Sequence, residues 1–306
     1  MSSTPSAAAR AQAIAAAPWN VVGEKPQLFR GMGRSFADLW RHRELLGLLV
    51  RREVRARYKD SSLGLLWSLV RPLTQLLIYY FAIGQILGAA RNVPSFAIFV
   101  FVGLTIWTLF TEIVGGGTTS IVANSGLIKK VYLPREIFPL ASVGSALFTF
   151  AIQLVILLAA TAVLGEFPLT PKLAIVPLAF VNLLLFATAL ALLLSALNVY
   201  LRDIQHLVEV VLTVLFWASP IVYAFSFVHD ALHGNWLEQL YLANPITLSV
   251  LGMQQGLWTA GATIDAYNAP PDLVLRLTIS ALVSLVLLFI AQRVFNRLQG
   301  NFAQEL

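Results

Sequence analysis

The sequence predicts an all-α integral membrane protein with six transmembrane helices per protomer, preceded by an amphipathic helix. Three observations predict it. Of 306 residues, 58% are hydrophobic and only 12% are charged, against the roughly one quarter charged that soluble domains carry. Mean hydropathy is +0.76. Six stretches reach the length of about 20 residues that crosses a bilayer at 1.5 Å per residue, namely residues 63–89, 96–123, 137–164, 173–198, 207–225 and 272–294.

Composition also excludes several chemistries. Cysteine is absent, so there is neither a disulfide framework nor a thiolate metal site. The four histidines, His42, His206, His229 and His233, have no ligand spacing, and no metal is expected. The net charge is +6, but its basic residues cluster beside apolar spans, where they report orientation and contact with membrane lipids rather than nucleic acid. Residues 1–27 are rich in Ala, Ser and Pro and read as a disordered cytoplasmic tail; their "AIAAA" is too short for a signal peptide.

Lys and Arg in short connecting segments stay in the cytoplasm. Eleven basic residues, Arg10 through Lys59, precede the first span. Lys129, Lys130 and Arg135 follow the second, Arg202 the fourth, and Arg293 and Arg297 the last. The opposite side holds Arg91, Lys172 and Arg276, and no Lys or Arg occurs from Asp203 to Leu275. Both termini are therefore expected in the cytoplasm, with residues 297–306 a C-terminal tail and residues 226–271 outside.

Ahead of the first span, in residues 28–60, Leu46, Val50, Val54 and Tyr58 recur every four residues beside a basic row of Arg51, Arg55 and Lys59. That pattern suits a helix lying on the membrane, apolar face in the headgroup layer. It is either a positive-inside anchor or a collector of an anionic lipid-linked substrate, with Arg202 a further lipid-facing cation. Asp203 is expected to cap the fifth span.

Between the second and third spans, "NSGLIKKVYLPREIFPL" puts Leu127, Ile128, Val131 and Tyr132 on one side of a short helix and Lys129 and Lys130 on the other. Asn124 and Ser125 can cap its start, and Pro134 forbids its continuation. It reads either as an ordinary loop with orientation charges or as a handle for a cytoplasmic partner.

Inside the spans, Arg71 and Glu112 are ionisable, and such residues face a partner or a polar cavity. They are expected to pair with each other or to mark a conduit. Aromatic residues suited to stacking on sugar rings include Tyr79, Phe81, Phe216, Trp217 and Tyr223, although aromatic belts occur in all membrane proteins. Gly115, Gly116 and Gly117 read as close-packing points between helices, with ligand contact the alternative. The run beginning at Asn244 and Pro245 is too short to span and reads as a re-entrant or surface-lying helix pair, a packing element or a lid. No G-x-x-x-x-G-K-[ST] phosphate loop occurs, and no catalytic constellation is apparent.

The stretches "YKDSSLGLLWSLVRPL", "LIKKVYLPREIFPL", "NVYLRDIQHL" and "SPIVY", in this order, resemble the membrane subunit of type 2 ABC exporters of polysaccharides, the O-antigen, teichoic acid and cell-wall galactan permeases. The resemblance covers roughly residues 36–296 and implies the following. Residues 125–135 are a coupling helix, so Leu127, Ile128, Lys129, Lys130, Val131, Tyr132, Pro134, Arg135 and Glu136 face a separate ATPase. Residues 36–59 are an interface helix, and short gate helices near Asn244 and Pro245 precede the last span. The chain forms a homodimer with two copies of a cytoplasmic ABC ATPase in a bacterial plasma (inner) membrane. The ATPase uses ATP and Mg, this chain binds no cofactor, and the cargo is a polyprenyl-diphosphate-linked polysaccharide. Rival readings are a drug or small-lipid permease of the same fold and an ion-coupled secondary transporter, which would show inverted repeats around intramembrane acids.

Overall fold

The computed structural model describes residues 41–58, 67–91, 93–131, 133–232, 235–263 and 269–306. The expected tail 1–27, His233, Lys59 and Tyr132 lie outside them, as do the side chains of Tyr58 and Arg71. Among the described residues every regular element is helical. In order they are α1 (Arg43–Tyr58), α2 (Trp67–Tyr79), α3 (Phe96–Ala123), α4 (Ser125–Ile128), α5 (Ile137–Val163) and α6 (Val176–Tyr200). Then follow α7 (Ile204–Trp217), α8 (Phe225–Leu232), α9 (Trp236–Leu242), α10 (Pro245–Leu257), α11 (Leu273–Leu298) and α12 (Phe302–Glu305).

Among the described residues, four helices are long and apolar enough to cross a membrane: Phe96–Ala123, Ile137–Val163, Pro171–Tyr200 and Leu273–Asn301. α3 is the central one, with 72% of its apolar window buried. α5 and α6 pack on it, and α6 in turn packs on α10 and α11. A main apolar cluster includes Phe99, Phe110, Leu183, Ile246 and Leu277. A second cluster gathers Leu49, Ile121, Phe138, Leu192, Phe295 and Phe302 at the end of the bundle that bears most of the basic residues, called here the basic end.

The first and fifth expected spans are not continuous α-helices. α2 contains Pro72 and passes into a π-helix, Tyr80–Ile86; proline removes a ladder hydrogen bond. α7 has 14 residues and stops before Ser219 and Pro220, whose ring forbids further α-helix. The chain from Ala218 to Tyr223 is then non-helical, yet Ser219, Ile221 and Val222 are buried. Irregular backbone at such depth needs its carbonyls satisfied by protein, and α10 does this. Thr247 Oγ1 donates to the Ala218 carbonyl and Gln254 Nε2 to that of Pro220, at 3.4 and 2.9 Å. Tyr223 Oη donates to the Trp217 carbonyl at 2.7 Å.

α10 is thus buried between α3, α6 and α11 rather than surface-lying. Asn244 caps it, its Oδ1 accepting from the Ile246 N–H at 3.0 Å with Pro245 in the first turn. The segment after residue 297 is not a free tail, because Phe302 is fully buried against Phe295 and Tyr200.

Candidate functional site

The segment 125–135, the expected coupling helix, begins where α3 ends. Its helix, α4, lasts four residues, after which the Lys130 and Val131 N–H groups both donate to the Leu127 carbonyl as the chain turns. This shortness corrects the expected face. Ile128 is buried in the basic-end cluster and Leu127 packs on it, but Val131 is 46% exposed, on the open side with Lys129 and Lys130. Asn124 does not cap α4 through its side chain. Its Nδ2 donates to the Ser120 carbonyl at 2.8 Å and its Oδ1 accepts from Arg52 Nη2. Pro134 is half-buried, Arg135 lies with its guanidinium carbon 5.7 Å from the Phe302 ring centroid, and Glu136 is buried at the start of α5.

α1 is amphipathic as expected, but its apolar face is occupied by protein. Leu49 is buried in the basic-end cluster, with Leu45, Leu46 and Val50 packed against it, while Arg51 and Arg55 are exposed. The helix is also not flat. Val50 meets Gly144 of α5, and seven residues later Arg57 Nη1 reaches Thr149 Oγ1 at 3.2 Å. α1 therefore advances along α5, whereas a helix lying on the bilayer would cross a spanning helix at a single level. Burial raises the Glu53 pKa, partly offset by Arg52 and Arg57.

Glu112 sits eleven residues before the end of α3, about 16 Å from that end. Its Oε2 accepts from Arg57 Nη1 at 2.8 Å. The ion-pair partner that the structure gives it is therefore Arg57, supplied by α1, which the sequence reading had assigned to the membrane surface. Below it, the three glycines divide. A Cβ on Gly117 would lie 2.5 Å from that of Ala191, so Gly117 is a close-packing point. Gly116 makes ordinary contact with Ser142, and Gly115 has no atom within 4 Å of a notional Cβ.

Most of the aromatic candidates come together inside the protomer. Tyr79 stacks on Phe216 with centroids 5.8 Å apart, and Phe216 also meets Trp107 and Trp217 edge-on. Tyr223 Oη lies 3.3 Å from Tyr241 Oη. Phe81 is apart from them, with only Tyr80 as a ring neighbour among the described residues. Phe81 and Trp217 are more than half exposed. Outside the spans, His229 Nδ1 on α8 and Glu238 Oε1 on α9 are 2.7 Å apart, and burial pushes the Tyr241 phenol up.

Three groups escaped the sequence reading. Asn182 on α6 is fully buried; it donates to the Pro245 carbonyl and Ser249 Oγ, and accepts from Ser280 and Ser284 of α11. Asn198 donates to the Thr118 carbonyl and accepts from the Gln205 N–H, supplying the cap on α7 that Asp203 does not. His206, Glu209 and Thr213, spaced three or four apart, form an exposed polar stripe along α7, while Arg202, the expected lipid-facing cation, is exposed just ahead of that helix. The signal for all three was a polar residue interrupting an apolar run.

The arrangement offers an exposed basic segment at the end of α3 and an ion pair part-way along that helix, with no nucleotide-binding motif in the sequence. Comparison with known proteins places similarity over most of the chain. The model of the ABC-2 type transporter family matches residues 44–258. The chain is 33% identical over 276 residues to the O-antigen export system permease protein RfbA of Myxococcus xanthus, covering 90% of this chain and 100% of that protein. It is 26% identical over 263 residues to a Klebsiella pneumoniae protein of the same name, covering 86% of this chain and 95% of that one. With the polysialic acid transport protein KpsM of Escherichia coli it shares 23% over 217 residues, 70% of this chain and 83% of that protein.

Proposed function

The chain belongs to the ABC-2 type transporter family, and from that premise we propose that it is the transmembrane subunit of an ATP-driven polysaccharide exporter. The observation that carries this reading is the end-to-end similarity to an O-antigen export permease. The cargo is a polyprenyl-diphosphate-linked polysaccharide of O-antigen or cell-wall galactan type. Two copies of the chain pair with two copies of a separate ABC ATPase, which consumes ATP and Mg. The complex sits in a bacterial plasma (inner) membrane, the chain crossing it six times with both termini cytoplasmic. Its relatives' names favour polysaccharide over a drug or small lipid, and the family gives no support to ion-coupled transport.

Lys129, Lys130 and Val131 dock on the ATPase; their exposure at the end of α3 supports that role. Arg51 and Arg55 meet lipid headgroups at the basic end. Phe81, Trp217 and the α7 stripe line the conduit; a charged side chain such as Glu209 costs about 2.5–3.5 kcal/mol at the centre of the bilayer and turns from lipid toward a polar space. α8, α9 and α10 form the outer gate.

The test is reconstitution with the partner ABC ATPase. Glycolipid should cross proteoliposome membranes only with both subunits and hydrolysable ATP. Export by the chain alone would overturn the proposal.

A further inference from the structure

α1 is fastened to α3 at two points. Near the basic end, Arg52 bonds Asn124, the residue that joins α3 to α4. Deeper, Arg57 bridges to Glu112 and is steadied by Thr149 of α5. The body of α1 is seated on α5, where the Val50 side chain fills the place a side chain would take at Gly144; a Cβ there would be 2.6 Å from Val50 Cγ2. Leu49, Ile121, Ile128 and Phe138 then close one apolar cluster from α1, α3, α4 and α5. The two arginine ties run from α1 to α3 and the Val50 seat from α1 to α5, so α1 is held on two neighbouring helices at once.

On the permease reading above, we infer that Arg57 and Glu112 are positioning residues for transport. Their bridge makes α1, α4 and the basic-end halves of α3 and α5 one rigid block, so a displacement imposed on the exposed Lys129–Lys130 segment reaches the level of Glu112 without loss. Without the bridge, α1 remains seated at Val50 but its last turn is free of α3, and part of the stroke is absorbed in bending α3.

Two measurements test this in the permease and ATPase complex in proteoliposomes. The first uses the absence of native cysteine. In Val50→Cys with Gly144→Cys the two Cβ positions are 3.6 Å apart, inside the range that a disulfide bridges. A rigid block predicts that oxidation to the cross-linked form leaves transport and ATP hydrolysis as they are in the reduced form. A stall on oxidation that reductant reverses would show that α1 leaves α5 during the cycle, and would overturn the inference.

The second reads coupling. Glu112→Gln should lower glycolipid moved per ATP hydrolysed by about tenfold, the loss expected from weakening one charge-assisted bond, with the complex still assembled. Arg57→Glu with Glu112→Arg should recover most of it. A double swap no better than either single variant, or Glu112→Gln with wild-type coupling, would overturn the inference. Failure of the exporter reading is separately visible: the wild-type complex would then hydrolyse ATP and move no glycolipid, while the effect of Glu112→Gln on permease-stimulated ATP hydrolysis would still report on the joint.

Discussion

Gln254 donates its side-chain amide to the carbonyl of Pro220 at 2.9 Å, linking a buried helix to the unwound end of another. Both groups are enclosed by protein, so neither can turn to water. Gln254→Leu leaves the carbonyl of Pro220 without this donor, and an unmet buried polar group costs about 1–3 kcal/mol. The variant should unfold at lower temperature in detergent, and Gln254→Glu should not restore it. Wild-type stability in Gln254→Leu would show that this bond does not hold α7 to α10.

Asn182 should be the most sensitive polar position among the described residues of α6. It is bonded to Pro245, Ser249, Ser280 and Ser284, and polar bonds between membrane helices are worth about 0.6–2 kcal/mol each. Asn182→Leu removes all four at once and should cut the folded yield and the melting temperature. Ser284→Ala, whose bond is the longest at 3.3 Å, should be nearly silent in the same assay.

The glycines of α3 should separate by substitution. Gly117→Val must displace Ala191 and so overpacks the α3 and α6 contact, at a cost of about 1–3 kcal/mol. Gly115→Ala meets open space and should melt within about 0.5 kcal/mol of the parent, as surface changes do. Equal effects at both positions would contradict the packing described.

In the coupling segment, Lys130→Glu should abolish ATPase binding and export while leaving melting unchanged, because Lys130 is exposed. Arg135→Glu should lower both, since Arg135 also covers Phe302 in a contact worth about 0.5–1 kcal/mol. A co-purification assay beside a melting curve distinguishes the two, and export by Lys130→Glu at the parental rate would remove the docking role.

The long apolar helices and the helix start at Asn244 and Pro245 were legible because periodicity and proline act locally. The break at Ser219 and Pro220 was not read, since the expected span 207–225 runs through it, and its depth depends on donors from α10. Glu112 stood out as a carboxylate in an apolar run. Its bond to Arg57 did not, because Arg57 comes from a helix 55 positions earlier whose tilt is set by the Val50 and Gly144 contact. The fate of Val131 was hidden for a similar reason: a helical wheel assumes more turns than the one that α4 has.

With 14 residues, α7 measures about 21 Å, less than the roughly 30 Å of a typical hydrocarbon layer. On the six-span reading proposed above, the bilayer beside it thins to match, at a cost of fractions of a kcal/mol per ångström. Acyl-chain length is therefore a control on this protein: shorter-chain lipids relieve the strain around α7, and thicker bilayers press on the turn at Ser219.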